Sequence, residues 1–581
     1  MNSKSYISLI LAAAAALPAA AQYDQTIQVE GTYTPEVIQR DRISVFPQRE
    51  KFSVETSPLD FSTTGVNSAF VPQALPLPAT GWRDIRAFSR SRGYVALDMG
   101  SYLNTSLSAG YRFVDNESTV VGLRLQHLST SLFHPRLSQA TDDVKRWLYD
   151  ETLGLYASHQ FNGKGRLDAA VDYHLGCFNY YGYAPSLPAA DKVKAPTQTL
   201  NDVAARIGWH SPAAVDDISY SLALGARYFG YRALPLPDGS KLKGTRETDL
   251  SLAGDVNFPT SGSSSLGIDL DSRLLIYDSE VANVRNYGLL ALTPYYKFTK
   301  ADVNIRLGAK LDFTFNAGPK LDKYKVFHIA PSVTVDYKAG PAALYLRALG
   351  GTRLHTLAAG SEWNYYQMPA LLSTLPVYAP VDLTAGVGFG PFSGFDASID
   401  FGWRYAKNEY LGGFYTPVLN DAASFLSDPA QLANATFCNN RDSEYRLSLR
   451  GYTIGLNLGY DAGRYFKIKA SGHYQPQSGR DSYFNGYDLP RWTADIWAET
   501  NPWSTLRLRL GYEYRGVRRC FPAHNYRLPD VTNLNFGASY AVNSRFSVRI
   551  DAVNLLCRKI EMLPGLPSER LQLSAGLSYK F

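Results

Sequence analysis

The last eleven residues of the chain alternate between apolar and polar side chains without interruption. One face carries Leu571, Leu573, Ala575, Leu577, Tyr579 and Phe581, and the other carries Gln572, Ser574, Gly576, Ser578 and Lys580. Successive side chains of a β-strand point to opposite faces, so this segment predicts a strand with one oily and one hydrophilic face. One such strand fits a membrane barrel or a soluble sheet, and recurrence along the chain distinguishes the two.

The same alternation recurs and predicts about 22 strands. Between residues 301 and 315, every odd position from Val303 to Phe315 is apolar, whereas Arg306 and Asp312 belong to the polar set. Helical spacing would scatter both sets around the helix. The predicted strands begin near Gly93, Tyr102, Thr119, Leu148, Gly165, Leu200, Ile218, Thr245, Leu266, Asn286, Ala301, Val326, Ala343, Asp382, Phe395, Ser443, Tyr465, Trp492, Trp503, Thr532, Ser544 and Leu571.

Short and long connections alternate strictly between these strands. Turns such as 115–118, 162–165 and 338–341 separate excursions such as 356–380 and 410–440. Outer-membrane barrels have short periplasmic turns and long outer loops, so both chain ends are expected in the periplasm and the strand number is even. We predict an all-β, antiparallel transmembrane barrel over residues 91–581. A soluble β-solenoid or a row of sandwiches is the alternative, although no repeat of fixed period is present.

The first residues predict export. Lys4 precedes an apolar stretch from Ile7 to Leu17, and small residues at 19–21 form a cleavage site that predicts a mature start at Gln22. Gln rather than Cys at that position argues against a lipid anchor. Beyond the signal peptide, 1–21, there is no run of about 18 apolar residues, which leaves a closed barrel to cross the bilayer. Localisation in the cell outer membrane follows.

Residues 22–90 are expected to form an extended segment in the periplasm or inside the barrel. Six prolines within it argue against a compact sheet domain. The composition otherwise supports a barrel, since 40 Tyr and 28 Phe suit interfacial girdles. The net charge of +6 is spread along the strands rather than clustered, so nucleic acid is not an expected partner.

Motifs for metal binding or catalysis are absent from the sequence. Cys177, Cys438, Cys520 and Cys557 form no CxxC pair, and the nine His form no HExxH motif, so no metal or other cofactor is expected. Cys520 and Cys557 lie in successive outer loops and could form a disulfide in an exported protein. No G-x-S-x-G nucleophile elbow occurs, and we expect no enzyme activity.

Charged residues on the polar faces of the late strands are the candidates for a lumen path. They are Lys467, Lys469, Arg507, Arg509, Glu513, Arg545, Arg549 and Asp551. A wall of one sign would favour anionic or sugar-like solutes. Because the signs are mixed, the alternative is that these side chains pair across strands and keep the lumen wet.

Aromatic residues in the 356–380 loop are candidates for binding at the outer surface. Trp363, Tyr365 and Tyr366 could stack on sugar rings or dock a surface lipoprotein, or they could pack together and plug the mouth. At the carboxy terminus, Tyr579 and Phe581 are the expected signal for the barrel-assembly machinery.

The end of the chain resembles the end of TonB-dependent receptors. The stretch 551–560, with Asn554-Leu555, is followed by Pro564-Gly565 and by a final strand ending in Phe581, as in that family. The resemblance implies an outer-membrane transport barrel, whose usual strand number is also 22. Residues 24–31 are loosely similar to the family's energy-coupling box, which adds as a strand to TonB. Receptors of this family place a plug of over a hundred residues before the barrel, and 22–90 is too short for one.

We therefore expect a TonB-receptor-like barrel without a plug that passes solutes across the outer membrane. The alternative is a non-conducting barrel that serves as a scaffold or subunit of an outer-membrane complex. A lumen of this size needs an occupant. Candidates are residues 22–90, the long outer loops, or a partner such as a surface lipoprotein or another outer-membrane subunit.

Overall fold

The computed structural model describes the predicted barrel region with gaps in its outer loops. The predicted signal peptide, the 22–90 segment with the predicted TonB-like box, and Cys438 lie outside the described residues. These residues are 91–133, 145–180, 197–212, 217–235, 241–280, 286–316, 326–363, 365–366, 376–410, 446–463, 465–479, 490–521, 526–563 and 566–581.

Twenty-two antiparallel strands form one closed sheet, which confirms the predicted fold class and strand number. The sheet closes where the first and last strands pair, with Val95 opposite Tyr579. The strands are β1 (Gly93–Gly100), β2 (Thr105–Asp115), β3 (Thr119–Phe133), β4 (Arg146–Phe161), β5 (Gly165–Asn179), β6 (Thr197–His210), β7 (Ser219–Tyr231), β8 (Arg246–Ser261), β9 (Ser264–Asp278), β10 (Tyr287–Lys300), β11 (Val303–Phe315), β12 (Phe327–Ala339), β13 (Ala342–Arg353), β14 (Val377–Phe392), β15 (Phe395–Tyr410), β16 (Arg446–Asp461), β17 (Phe466–Tyr474), β18 (Trp492–Trp503), β19 (Leu506–Arg515), β20 (Val531–Ala541), β21 (Phe546–Val553) and β22 (Gln572–Lys580).

Short strands and a helix lie at the outer end of the barrel. A strand at Gln477–Gly479 continues the pairing of β17 with β16. Of the outer-loop residues that the structure describes, some form three small hairpins, and helix α1 (Leu357–Trp363) follows β13. The hairpins pair Ala233–Pro235 with Lys241–Lys243, Arg518–Phe521 with Tyr526–Leu528, and Glu561–Leu563 with Leu566–Pro567. Among the described residues, no helix is long and apolar enough to cross a membrane.

The wall presents apolar side chains outward and polar side chains inward. Leu573 and Ile550 are 52% and 56% exposed on the outer face, whereas Arg549 and Gln572, their neighbours in sequence, are half-buried on the inner face. Exposure therefore alternates along β22 with the period of the sequence pattern. An apolar outer face is the surface that hydrocarbon requires, so the cylinder is a transmembrane barrel of the outer-membrane type.

An ionisable pair on β3 and β4 departs from this rule on the outer face. Glu151 of β4 stands opposite His127 of β3, in the outward register of Leu153 and Leu125. The Nδ1 atom of His127 lies 2.5 Å from Oε1 of Glu151, and its Nε2 atom lies 3.2 Å from the Thr105 hydroxyl. Glu151 lies ten residues from the periplasmic end of β4 at Phe161. That separation places the pair near the outer edge of an apolar band about 25 Å tall.

Candidate functional site

The inner wall carries ion pairs that bridge over glycines. At the closing seam, the guanidinium of Arg549 on β21 donates two hydrogen bonds to Asp98 on β1, and β22 runs between them. Gly576 is the residue of β22 that they cross. A Cβ atom there would lie 1.7 Å from Oδ1 of Asp98. Only glycine therefore leaves room for this pair.

The same arrangement occurs at a second place on the wall. Arg124 of β3 donates to Asp172 of β5 at 2.6 Å, across Gly154 of the intervening β4. A Cβ atom on Gly154 would lie 2.3 Å from the Asp172 carboxylate. Glycines on the polar face therefore admit charge pairs between strands that are not neighbours.

The predicted lumen residues lie mostly in ion pairs within one strand or between adjacent strands. Both Arg507 and Arg509 face Glu499, at 3.5 and 3.2 Å, and Glu513 faces Arg515 at 3.1 Å. The remaining pairs are Lys467 with Asp461 at 3.0 Å and Asp551 with Arg549 at 3.7 Å. These contacts favour the alternative in which interior charges neutralise one another and hold water, rather than a wall of one sign.

Two members of the predicted set are placed differently. Lys469 is exposed on the inner face, and its ammonium lies 5.8 Å from the ring of Trp497, a distance suited to a cation–π contact. Arg545 comes one residue before β21 and is exposed in the periplasmic turn rather than in the wall. Its backbone N–H donates to Oδ1 of Asn543 at 2.8 Å. The turn before β21 includes Arg545, which sequence alternation alone had assigned to the strand.

At the outer end, the inner wall becomes apolar and is covered by the loop that follows β13. We call residues 354–363 together with Tyr365 and Tyr366 the cap segment. Leu357, Ala358 and Tyr366 of this segment are buried in one cluster with residues of β4 to β7 and their outer loops. The wall and loop members of the cluster are Leu148, Phe178, Tyr180, Leu200, Phe229, Tyr231, Leu234 and Leu566.

The cap segment reaches across the cylinder to make these contacts. It emerges from β13, and Phe178, which it covers, lies on β5. These two strands stand eight places apart in a ring of 22. A loop that remained above its own strands would not meet Phe178, so the cap segment lies over the mouth of the barrel.

A buried carboxylate of the wall receives the start of α1. Oε2 of Glu247, the second residue of β8, accepts a hydrogen bond from the backbone N–H of Leu357 at 2.7 Å. Glu247 is only 1% exposed. The first turn is also capped within the loop, because the Thr356 hydroxyl accepts from the N–H of Ala359 at 3.0 Å. Losing the contact to Glu247 would leave a buried donor and a buried acceptor without this partner.

A second polar contact joins the other end of α1 to the wall. Arg227 of β7 donates to Asp202 at 2.6 Å and to Glu362 of the cap segment at 2.9 Å. Asp202 is buried, whereas the Glu362 side chain remains mostly exposed to solvent. The guanidinium is therefore fixed by the wall and offers its remaining donors to the cap segment.

The two predicted tyrosines pack against residues of the inner wall. The ring of Tyr365 lies 4.6 Å from that of Phe178, and Tyr366 lies 5.2 Å from Phe178 on another side. Nε of Arg146 donates to the Tyr366 hydroxyl at 3.0 Å. Burial raises the pKa of the Tyr366 phenol, which keeps it neutral in this contact. Trp363 ends α1, and its side chain lies outside the described residues.

A second outer loop meets the cap segment at Arg146. Glu569, in the connection before β22, lies 3.8 Å from Arg146 and accepts hydrogen bonds from Thr130 and Asn104, both at 3.0 Å. Leu566 of the same loop joins the apolar cluster beneath the cap segment. Two outer connections, one after β13 and one after β21, therefore share one anchor on β4.

The carboxy terminus and the cysteines complete the set of predicted residues. Tyr579 and Phe581 lie on the outer face, and the Phe581 N–H donates to the Gly93 carbonyl at 2.9 Å. Cys557 carries an exposed thiol that is free in the described part of the chain, and the side chain of Cys520 lies outside it, so a disulfide between the two stays a prediction. Cys177 is also free. Within the described part of the chain, no group of three His, Cys, Asp or Glu side chains is placed to hold a metal.

Sequence reasoning did not single out the acidic residues that hold the cap segment and the loop before β22 against the wall. Glu247, Glu362 and Glu569 are distant in sequence from the groups that they contact. The one local signal was the charged pair Arg246-Glu247 at the start of a strand, and charged residues are common at strand ends on the rim of a barrel.

No protein-family model and no curated protein matches this chain. Solved structures with the same fold are found at low identity. The FrpB iron transporter from Neisseria meningitidis has a TM-score of 0.62 at 10% identity, over 84% of this chain and 82% of that one. A mutant of the ferric enterobactin receptor PfeA from Pseudomonas aeruginosa, in complex with enterobactin, gives 0.59 at 11%, over 84% and 81%.

The siderophore receptor PirA from Acinetobacter baumannii gives a TM-score of 0.60 at 11% identity, over 84% of this chain and 80% of that one. Identities this low carry the fold and nothing about ligands. The chain thus has the 22-stranded barrel fold of these receptors.

Proposed function

We propose that this barrel passes polar solutes across the outer membrane and that the cap segment is its outer gate. The observation that carries the proposal is the docking of the cap segment on the inner wall of strands on the far side. A loop that lay only on the outer surface would not pack against buried apolar and charged side chains of the inner wall. The mixed ion pairs of the wall suit a hydrated path rather than a packed core.

Replacing residues 355–366 with a Gly/Ser linker of equal length tests the gate. In planar bilayers, the wild-type protein is expected to show small or rare currents, and the replaced variant larger and sustained ones. If both proteins are silent and retain stably co-purifying proteins, the barrel is a scaffold or subunit of an outer-membrane complex, and passage is wrong.

The amino-terminal segment enters the proposal in two ways. We propose that residues 22–90 occupy part of the lumen in place of a plug, and that 24–31 engage TonB when transport is energised. Deleting 22–90 is expected to raise the conductance of the gate-replaced barrel. Deleting 24–31 alone is expected to abolish retention of a purified TonB periplasmic domain. An unchanged conductance in the first experiment would rule out lumen occupancy by this segment.

A further inference from the structure

We infer that the inner wall beneath the cap segment is a peptide-binding site, and that the cap segment is its resident occupant. This inference rests on the proposed function, because a ligand that takes the site must displace the gate. The wall patch consists of Arg146, Phe178, Arg227, Phe229, Tyr231 and Glu247.

The patch already recognises the main chain of a peptide. Glu247 is buried in the wall, and its carboxylate accepts the N–H of Leu357 at 2.7 Å. A buried carboxylate beside an aqueous bore is costly unless donors satisfy it. The donor that the cap segment gives it is the backbone N–H of Leu357, and every peptide carries such groups. Sugar hydroxyls could also donate, so the remaining contacts must distinguish the two ligand classes.

The side-chain contacts favour an acidic, apolar peptide. Arg227 is held by Asp202 and directs a further N–H to the carboxylate of Glu362 at 2.9 Å. Leu357 and Ala358 are buried against the aromatic part of the patch, which includes Phe229 and Tyr231. A small aliphatic pair followed four or five residues later by a carboxylate is a peptide pattern, and a neutral oligosaccharide has no group for Arg227.

The occupant binds through one face only, as a ligand would. Ala358 is 1% exposed, whereas the adjacent Ala359 is exposed, and most of the Glu362 side chain remains in water. Because the cap segment is tethered, its effective concentration is in the millimolar range for a short flexible connection. A free peptide therefore competes only if it binds more tightly or if the anchor at Arg146 is released first.

The test uses the full-length protein with residues 355–366 replaced by the Gly/Ser linker. The probe is a fluorescein-labelled synthetic peptide with the sequence of residues 355–366, and binding is read by fluorescence anisotropy in detergent. A scrambled peptide and a neutral maltooligosaccharide serve as comparison ligands. We expect saturable binding of the cognate peptide to the replaced variant and at least roughly tenfold weaker apparent binding to wild type, whose site is filled.

A pair of wall variants locates the site. Glu247→Leu in the replaced background is expected to weaken peptide binding by roughly tenfold or more, because it removes the buried acceptor of the peptide N–H. Glu151→Leu makes the same change on the outer face of the barrel and is expected to leave binding within about twofold. A Glu362→Gln peptide should bind several-fold more weakly, which keeps the test valid if Glu247→Leu does not fold.

Binding and conduction fail separately. Silent bilayers with intact peptide binding would remove the proposed passage and leave the peptide site. Equal binding of the scrambled peptide, block by the oligosaccharide alone, or no effect of both Glu247→Leu and the Glu362→Gln peptide would overturn the peptide site and leave the gate.

Discussion

The seam between β1 and β22 gives the sharpest quantitative prediction about stability. Gly576→Ala adds a Cβ atom 1.7 Å from Oδ1 of Asp98 and 3.0 Å from the Leu97 carbonyl oxygen. Asp98 must turn away, and its two hydrogen bonds from Arg549 are lost. The Asp98 and Arg549 side chains are 10% and 23% exposed, so solvent screens the loss only in part.

The magnitude follows from that partial burial. Breaking a fully buried ion pair costs about 3–5 kcal/mol, and Arg549 keeps a weaker contact with Asp551 at 3.7 Å. We therefore expect Gly576→Ala to lower the free energy of unfolding by about 2–3 kcal/mol, which is roughly 30- to 150-fold in the folding equilibrium. Urea titration of the barrel folded into lipid vesicles, followed by tryptophan fluorescence, measures this difference.

A second glycine on the same face is the matched control. The Cβ atom of Gly511→Ala would meet nothing closer than Cβ of Asn535 at 3.9 Å, so its cost should stay below about 0.5 kcal/mol. In an Asp98→Ala background, Gly576→Ala should also cost less than about 1 kcal/mol, since the clashing carboxylate is gone. Equal urea midpoints of unfolding for Gly576→Ala and Gly511→Ala would refute the claim that Gly576 makes room for this ion pair.

Three further predictions address the wall and the terminus. Ile550→Arg on the outer face should cost about 2–4 kcal/mol, read by the same urea titration, whereas Gln126→Arg on the inner face should cost little, and equal costs would contradict the assigned faces. Lys469→Glu should shift the reversal potential of the gate-replaced barrel toward cation selectivity under a salt gradient. Lys300→Glu, at a periplasmic turn, should shift the reversal potential less. The opposite order would contradict a lumen position for Lys469. Phe581→Ala should reduce barrel insertion in cells, seen as less heat-modifiable protein in outer-membrane fractions, and unchanged insertion would remove the expected assembly signal.

The sequence was sufficient for the barrel because the evidence for each strand is local. Alternation with period two assigns every residue of a strand to a face, so a strand such as β11 could be recognised without its neighbours. Its ends were less well defined. β14 begins at Val377, whereas the sequence predicted a start at Asp382. The prediction missed the first residues because the strand is irregular between Tyr378 and Val381, which interrupts the alternation.

The docking of the cap segment could not be predicted in the same way. Leu357 and Glu247 are separated by 110 residues, and the local sequence around either residue does not indicate a contact with the other. The outward pair of His127 and Glu151 was missed for a related reason, since one charged residue in an otherwise apolar set does not change a strand assignment. Contacts that depend on how the cylinder curves become visible only when the cylinder is closed.

The docked cap segment can be tested most directly by the reactivity of two adjacent positions. In a background with all four native cysteines changed to serine, Ala358→Cys places a thiol at a buried position of α1 and Ala359→Cys places one at an exposed position. Ala358 is 1% exposed and faces the wall, whereas Ala359 is exposed. A water-soluble maleimide should therefore modify position 359 at least roughly tenfold faster than position 358, and Glu247→Leu should narrow this ratio by weakening the dock. Equal rates at both positions in the wild-type wall would contradict a cap segment held against the inside of the barrel.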